Sequence, residues 1–379
     1  MSQNNEMEQP VFLKCFGQIE DPRLDRQKRH KLLDIIGIAV CAAIAGADGW
    51  VAVEEFGKAK EPWLRTFLKL DNGIPSHDTF GRVFSLLAPH AFEEAFRDWV
   101  GALQGKIQGL VAIDGKTVRG SHDRANGKKA IHVVSAWAVQ NGVCLGQVKT
   151  DDKSNEITAI PELLSKLDLQ GCLVSIDAMG CQRKIAQAVL DTGGDYLLAV
   201  KGNQETLAED VEQEFKHAMA DGFAHMDHFY RETIDKGHGR IEKRQYWYTH
   251  DVQGLGTCER WPQLNAMIMC RATRTEKGDT SVEDRYYITS CRHDDVAQIA
   301  DAIRNHWAIE NGLHWVLDVA FLEDHSRIRT GYAAQNMVII RKISHNALKN
   351  DKSSKVGVKN KRLKAGWDTA YMERILLAL

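Results

Sequence analysis

The spacing of apolar residues changes along the chain and divides it into zones. Up to about residue 105, apolar positions recur every three or four residues, which is typical of amphipathic helices. Short apolar runs then alternate with helical stretches as far as about residue 221, and polar and apolar residues alternate from 222 to 292, as in strands. The helical spacing returns after residue 293. The pattern predicts an α/β core that is interrupted by a β-rich segment and preceded by helices.

These changes define five predicted parts of the chain. A helical N-terminal domain (1–105) is followed by the first part of the core (106–221). A β-rich insertion (222–292) separates it from a helical completion of the core (293–348), and a basic linker (349–364) with a C-terminal helix ends the chain at residue 379. The linker could bind phosphate or could be a solvated connector.

The N-terminal domain contains two features compatible with DNA contact. Basic residues are crowded between Arg23 and Lys31, and the break at 72–76 precedes a short helix for which Ser76 or Asp78 is the predicted cap. A helix is also predicted from Trp63 to Leu70. A helix, a glycine-containing break and a capped helix fit helix-turn-helix recognition, although such hairpins often only pack against one another.

The core is predicted to follow the order β-β-β-α-β-α-β. Its predicted strands are Leu110–Asp114, Ile131–Val139, Val143–Lys149, Cys172–Asp177 and Asp195–Val200, and its predicted helices are Ile157–Leu169 and Gln182–Asp191. A meander and two helical crossovers make the first, fourth and fifth strands run in the same direction. Their carboxyl ends therefore meet at one edge of the sheet, where ligands of α/β sheets collect.

Three charged residues come at those strand ends. Asp114, Asp177 and Lys201 each follow a strand, and two carboxylates at one edge would favour a divalent cation between them. Each residue also has a simpler interpretation. Asp114 and Gly115 could form a hairpin turn, Asp177 could begin a helix, and Lys201 could lie in a turn. The shared edge favours the metal site.

A third carboxylate is available on the predicted helix that continues from Asp294 to Leu317. His306, Glu310 and His314 are spaced at i, i+4 and i+8 and so share one helical face. This face could bind metal or could be a solvated stripe.

Composition adds few constraints on function. The net charge is −2, so any nucleic-acid surface must be local. The eight cysteines form no C-x-x-C pair and are expected to be reduced, as in a cytosolic protein. The N-terminus is polar, without a secretory signal, and the apolar run 35–47 is too short to cross a membrane.

Five motifs resemble one family of proteins, the DDE insertion-sequence transposases, and within it the H-repeat-associated (Rhs-linked) group. The motifs are Val111–Ser121, Ser175–Gln182, Asp195–Gln204, Gly237–Arg240 and Asn305–Trp315. The resemblance covers essentially the whole chain. It implies an α/β catalytic domain that is ribonuclease-H-like, with the metal ligands Asp114, Asp177 and Glu310.

The resemblance also implies cofactors, partners and a reaction. Two Mg²⁺ ions about 3.5–4 Å apart, with Mn²⁺ as a substitute, would support DNA cleavage and strand transfer. The expected partners are double-stranded DNA, as terminal inverted repeats and as target, and a second copy of the chain on paired ends. The expected location is the bacterial cytoplasm, on the nucleoid, with no membrane. The expected DNA-binding residues are Lys116, Arg119, Lys201, Arg240, Arg304 and His306.

The chain departs from the broader family around the third acid. Where that family has Tyr-x-x-Arg-x-x-x-Glu and a lysine seven residues later, this chain has Ile303, His306 and Leu317. Asp318, Glu323 and Asp324 are therefore rivals of Glu310 as third ligand. Two other functions stay open: an inactive DNA-binding relic of a mobile element, and a ribonuclease-H-like nuclease with another role.

Overall fold

The computed structural model of the protein describes residues 11–150, 155–237 and 239–377. Four parts of the sequence predictions lie outside the described residues. They are the first ten residues of the N-terminal domain, residues 151–154 of the first part of the core, His238 of the Gly237–Arg240 motif and the last two residues of the C-terminal helix.

One mixed sheet contains every strand of the described residues. The strands are β1 (Gly109–Val118), β2 (Ile131–Ala138), β3 (Val143–Lys149), β4 (Cys172–Ile176), β5 (Asp195–Val200), β6 (Phe229–Gly237), β7 (Arg240–Thr249), β8 (Ala266–Glu276) and β9 (Asp279–Thr289). Their order across the sheet is β3-β2-β1-β4-β5-β9-β8-β7-β6. The fold is therefore mixed α/β.

Helices precede, connect and follow the strands. Within the described residues they are α1 (Val11–Phe16), α2 (Leu32–Ile44), α3 (Trp50–Leu64), α4 (His77–Leu86), α5 (Pro89–Gln104), α6 (Glu156–Leu164), α7 (Arg183–Asp191), α8 (Glu205–Ala220), α9 (Val296–Asn305), α10 (Trp315–Phe321), α11 (Ala333–Asn350), α12 (Val358–Trp367) and α13 (Thr369–Leu377). Short 3-10 turns lie between them.

The predicted strand directions are confirmed at the centre of the sheet. β1 pairs with β4 in parallel, and β4 pairs with β5 in parallel. β1, β2 and β3 form the antiparallel meander, and α6 and α7 make the two crossovers. The element order from β1 to β5 is thus β-β-β-α-β-α-β, as predicted.

The β-rich segment joins this sheet directly. β9 pairs antiparallel with β5, and β8, β7 and β6 extend the sheet outward from β9. The four strands lie within residues 222–292, where the alternation of polar and apolar residues predicts strands. β8 pairs along its length with both β7 and β9, whereas the first part of β9 (279–285) pairs with β8 alone.

The N-terminal helices share the largest apolar core with the sheet and with α11. Fifteen of the eighteen residues of α11 are buried, and this helix contacts α2, α4, α5 and β3. Ser76, rather than Asp78, caps α4, because its hydroxyl accepts the amide hydrogen of Thr79. The predicted helix from Trp63 to Leu70 is wrong: α3 ends at Leu64, and Leu70 has a positive φ of 45°.

The prediction of a basic linker through residue 364 is wrong for its second half, because residues 358–367 form α12. Lys361 donates a hydrogen bond to the Leu348 carbonyl at 2.9 Å. Arg362 donates to the Ala43 carbonyl at 3.0 Å and binds Asp48 at 2.8 Å. Both cations are buried and attach α12 to the rest of the fold.

All eight cysteines are free, and six of them are buried. Among the described residues, no helix combines the length and the apolar character that are needed to cross a bilayer.

Candidate active site

The parallel pairing of β1 and β4 places Asp114 and Asp177 side by side. Ile113 pairs with Ile176, and each aspartate is the next residue along its chain. β4 ends there, whereas β1 continues to Val118 with Asp114 opposite Ser135 of β2. The two carboxylates therefore lie where the parallel ladder stops.

Asp114 is neither the end of a strand nor part of a turn, so both sequence-based interpretations of its local structure are wrong. The pairing with β2 extends β1 five residues beyond the end of its pairing with β4. Gly115 is needed in this strand for space: a Cβ there would lie 2.1 Å from Glu156 Oε1 and 2.4 Å from His132 Nε2. The glycine lets a neighbouring carboxylate approach the backbone beside Asp114.

Glu310 reaches the cleft from a π-helical turn, which spans Glu310–His314 and leads into α10. The predicted continuous helix is wrong, since α9 ends at Asn305. His306, Glu310 and His314, which were predicted to share one helical face, therefore have different partners. His306 Nδ1 lies 3.0 Å from Ser175 Oγ, whereas His314 contacts Glu310.

His314 lies between two of the carboxylates. Its Nδ1 is 3.0 Å from Glu310 Oε2 and 3.6 Å from Asp114 Oδ2. One ligating atom from each of these three residues fits within 4.8 Å of the other two. Asp177 is not in this tightest group but lines the same cleft.

Burial and neighbouring acids raise the pKa of Asp114 to about 7. Loss of water is the largest cause, and repulsion from Glu156, Asp177 and Glu310 adds to it. The hydrogen bond from the Gly115 amide acts in the opposite direction. The site therefore concentrates more negative charge than its surroundings balance.

Burial lowers the pKa of His314 to about 3, and the nearby charges of Lys342 and Lys116 act in the same direction. The imidazole is therefore neutral at physiological pH, with a single N–H. Nδ1 faces carboxylate oxygens, whereas Nε2 has no hydrogen-bond partner among the described residues. The proton thus belongs on Nδ1, so His314 donates a hydrogen bond to Glu310. This geometry argues against metal binding through Nδ1.

The cleft around these residues has a volume of about 330 Å³. Its charged lining comprises five carboxylates and two cations: Asp114, Asp177, Glu283, Asp284, Glu310, Lys201 and Arg285. Carboxylate oxygens are the ligands that Mg²⁺ and Mn²⁺ prefer. Asp114, Asp177 and Glu310 fit such an ion, because they line one cleft and, among the described residues, none of them forms an ion pair with a lysine or an arginine.

Asp318, Glu323 and Asp324, the other candidates for the third metal ligand, surround Lys116. Lys116 Nζ lies 2.7 Å from Asp318, 3.2 Å from Glu323 and 3.3 Å from Asp324. Lys116 was expected to contact DNA, but its side chain is only 12% exposed and is enclosed by these acids. That expectation does not agree with its placement.

The other expected DNA-binding residues are spread over the surface. Lys201 and His306 line the cleft, and Arg119 is largely exposed. Arg240 pairs with Glu242 at 2.8 Å, and Arg304 lies 3.7 Å from Asp235.

Three cations of the basic segment near the N-terminus pair with acids of the protein. Arg23 is buried and binds Asp21 at 2.7 Å. Lys28 lies 2.9 Å from Asp25, and Lys31 lies 2.7 Å from Asp71.

Sequence reasoning missed Glu156 as a neighbour of the site. This residue begins α6, and its Oε1 lies 2.7 Å from His132 Nε2, whose Nδ1 lies 2.8 Å from Thr117 Oγ1. A glutamate in the first turn of a helix is common, so no sequence signal singled it out. Only the approach of α6 to Gly115 places it beside Asp114.

Comparison with known proteins gives consistent matches. A family model described as "Transposase DDE domain" matches residues 106–347, and one described as "DDE_Tnp_1-associated" matches residues 13–100. A relative from Escherichia coli O157:H7, "Putative transposase YncI", is 46% identical over 370 residues, which cover 96% of this chain and 94% of the relative.

A second relative, "H repeat-associated putative transposase YhhI" from Escherichia coli strain K12, is 40% identical over 98% of both chains. Among solved structures, the piggyBac transposase synaptic complex with hairpin DNA overlaps 96% of this chain and 77% of its own. Its TM-score is 0.41 and the identity is 11%.

Proposed function

Because the chain belongs to the transposase DDE domain family and is a DDE-type transposase, we propose that it cleaves the ends of an insertion element and joins them to target DNA by Mg²⁺-dependent, two-metal phosphoryl transfer. One observation carries the assignment of the site: Asp114, Asp177 and Glu310 come from distant parts of the chain and line one cleft. The ribonuclease-H-like assignment of β1–β5 with α6 and α7 belongs to this proposal, supported by the element order and strand directions.

Asp114, Asp177 and Glu310 would hold the metal. Divalent metal, when bound, neutralises these acids, polarises the phosphoryl oxygens and activates the attacking water or 3′-hydroxyl. The protein itself contributes position and charge. β1 and β4 position the two aspartates through their paired backbones. His314 positions Glu310 through its Nδ1–H and lies 3.6 Å from Asp114.

Other side chains of the cleft are suited to the DNA. Lys201 and Arg285 supply the positive charge that attracts a phosphate. His306 is held by Ser175 on the strand that carries Asp177, within reach of the substrate. The partners are therefore double-stranded terminal repeats and target DNA. A homodimer on paired ends, and a bacterial cytoplasmic location on the nucleoid, complete the proposal.

The test uses purified protein, a duplex carrying the element's own terminal repeat, and Mg²⁺ or Mn²⁺. We expect nicking at the repeat end, and joining of a pre-cleaved end to a plasmid. The Asp114→Asn variant should lose both reactions by about 10³-fold or more, since several kcal/mol of charge stabilisation depend on the metal. It should still bind the same duplex in EDTA.

Each other outcome rejects part of the proposal. Cleavage by Asp114→Asn at the wild-type rate would overturn the site. Nicking without joining would indicate a nuclease, and binding without either reaction in the wild type would indicate an inactive relic.

A further inference from the structure

In two neighbouring grooves outside the cleft, the charged lining residues are mainly cations. The first follows the segment after β1 and contains four Lys or Arg residues and no acid: Arg119, Arg124, Lys128 and Lys129. The second lies between α4 and residues 326–331. It contains three arginines and one acid: Arg82, Arg327, Arg329 and Asp78.

Hydrogen bonds join the walls of the two grooves. Lys128 Nζ donates to the carbonyls of Arg329 at 2.8 Å and Gly331 at 3.1 Å. Arg329 Nε donates to the Gly120 carbonyl at 3.1 Å. On the other side, the amide of Tyr332 donates to the Ser85 carbonyl of α4 at 3.1 Å. Three segments that are distant in sequence therefore form one continuous surface.

The charge of this surface is largely uncompensated. We call it the cationic strip and define it by six residues: Arg82, Arg119, Arg124, Lys129, Arg327 and Arg329. In the part of the chain that the structure describes, only Arg119 has a carboxylate partner, Asp324 at 3.5 Å, and its side chain remains 83% exposed. Arg329 binds a carbonyl, which leaves its charge unneutralised. The acid in the grooves, Asp78, is turned toward His77 at 3.6 Å.

The strip begins directly after β1, the strand that carries Asp114. Val118, the last residue of β1, comes four residues after Asp114, or about 13 Å along an extended strand. Consecutive phosphates of one DNA strand are about 3.4 Å apart along the helix axis. A duplex with its reacting phosphate in the cleft would reach the strip about four base pairs away.

We propose that the cationic strip is a binding surface for the phosphate backbone of double-stranded DNA next to the reacting end. This inference rests on the proposed function for its choice of DNA as the polyanion. A chain with a net charge of −2 attracts a polyanion only where its cations are concentrated, and here they are. Arginines along grooves contact phosphate without reading sequence, so the strip holds the duplex and leaves recognition of the end to other residues.

The experiment compares two charge-reversed triple variants of the full chain. One is Arg82→Glu with Arg124→Glu and Arg327→Glu, all exposed and without an ion-pair partner among the described residues. The matched control reverses three exposed lysines of the C-terminal region: Lys352→Glu, Lys355→Glu and Lys359→Glu. Affinity for a 30-bp duplex of arbitrary sequence is measured in EDTA between about 50 and 200 mM salt.

We expect the strip variant to bind at least tenfold more weakly at the lowest salt concentration. The slope of log affinity against log salt should fall by about 0.9 for each phosphate that the variant no longer neutralises. The control should keep the wild-type slope. Circular dichroism and thermal midpoints check that both variants fold. A strip variant with the wild-type slope would overturn the proposal, as would an equal decrease in the control.

Failure of this inference can be told apart from failure of the proposed function. EDTA prevents cleavage, so the binding result does not depend on the metal site. Tighter binding of a 30-bp RNA duplex than of the DNA duplex, abolished in the strip variant, would reassign the strip to RNA. Loss of DNA binding in the strip variant, together with no cleavage by the wild type, would keep the strip and reject the transposase reaction.

Discussion

The active-site cleft and the cationic strip carry opposite charge, although both are proposed to meet the same polyanion. Carboxylates outnumber cations by five to two in the cleft, whereas the two grooves of the strip hold seven Lys or Arg residues and one aspartate. A cleft of this kind repels phosphate until metal neutralises it. The difference indicates that affinity for DNA and chemistry on DNA are located in different places.

Lys116 and Arg119 show how sharply the two regions are divided. They are three residues apart, yet Lys116 is enclosed by acids and Arg119 is exposed. The alternation of side chains along β1 turns Lys116 to the side of Asp114, and the turn after Val118 releases Arg119 to the surface.

The largest expected effect is on the free energy of unfolding, and it distinguishes Lys116, a structural cation, from Lys129, a cation proposed to bind DNA. Lys116→Met should lower the free energy of unfolding by about 3–5 kcal/mol, because Glu323 is 1% exposed and would lose its closest cation. Chemical denaturation measures this. Lys129→Met, on the strip, should leave the stability unchanged and reduce the salt slope of DNA binding instead. Equal stability of the two variants would place Lys116 outside the core network.

The next effect concerns the stability of the metal-free cleft. A carboxyl whose pKa rises to about 7 on folding makes a stabilising contribution that is complete below its unfolded pKa and is lost as pH rises through 7. The Asp114→Asn variant has no carboxyl to ionise at this position, so it does not lose this stability as pH rises. The metal-free variant should therefore be more stable than the wild type at pH 8 by about 2–4 kcal/mol, and the gain should shrink toward pH 4.

Thermal melts at both pH values check this expectation. Mg²⁺ should raise the midpoint of the wild type and leave that of Asp114→Asn almost unchanged. If the variant is less stable than the wild type at pH 8, the negative charge of the cleft does not destabilise the metal-free protein.

A smaller effect tests whether His314 holds Glu310 through Nδ1. The amide nitrogen of Asn can replace Nδ1, whereas that of Gln reaches the Nε2 position. His314→Gln should lower the cleavage rate by about 10–100-fold, and His314→Asn should retain most of it. Nitrogen coupling in the spectrum of bound Mn²⁺ supplies an independent readout. Direct coupling to an imidazole nitrogen would show that His314 is a ligand and reject the positioning role.

The smallest effect concerns Glu156. Removing its charge in Glu156→Gln should lower the pKa of Asp114 and move the pH midpoint of Mn²⁺ binding down by about half a unit. Glu162→Gln, an exposed change on the same helix, is the matched control. If the wild type, Glu156→Gln and Glu162→Gln have the same pH midpoint of Mn²⁺ binding, the charge of Glu156 does not affect the pKa of Asp114.

Much of the α/β core follows from local sequence. The bounds of β3 and β5 agree with the apolar runs, and the meander and the two crossovers give the strand directions. Two acids at one edge of the sheet then follow from direction alone. The motifs around them led correctly to the family.

Partners that are distant in sequence explain most of what was wrong. α12 has the composition of a linker, but Lys361 and Arg362 find carbonyls and an acid on other helices. Lys116 meets an aspartate 202 residues away. Local periodicity contains no information about such contacts, because it reports only which face of a segment is apolar.

The sequence by itself determined the strands, their directions and the acids at the sheet edge, since these depend on residues a few positions apart. The tertiary structure alone decided that Asp114 lies within a strand, that His314 stands between two acids and that Glu156 approaches Gly115. It also assembled the cationic strip from three segments. The electrostatics of both regions depend on distance and burial, and these are fixed only when the helices pack around the sheet.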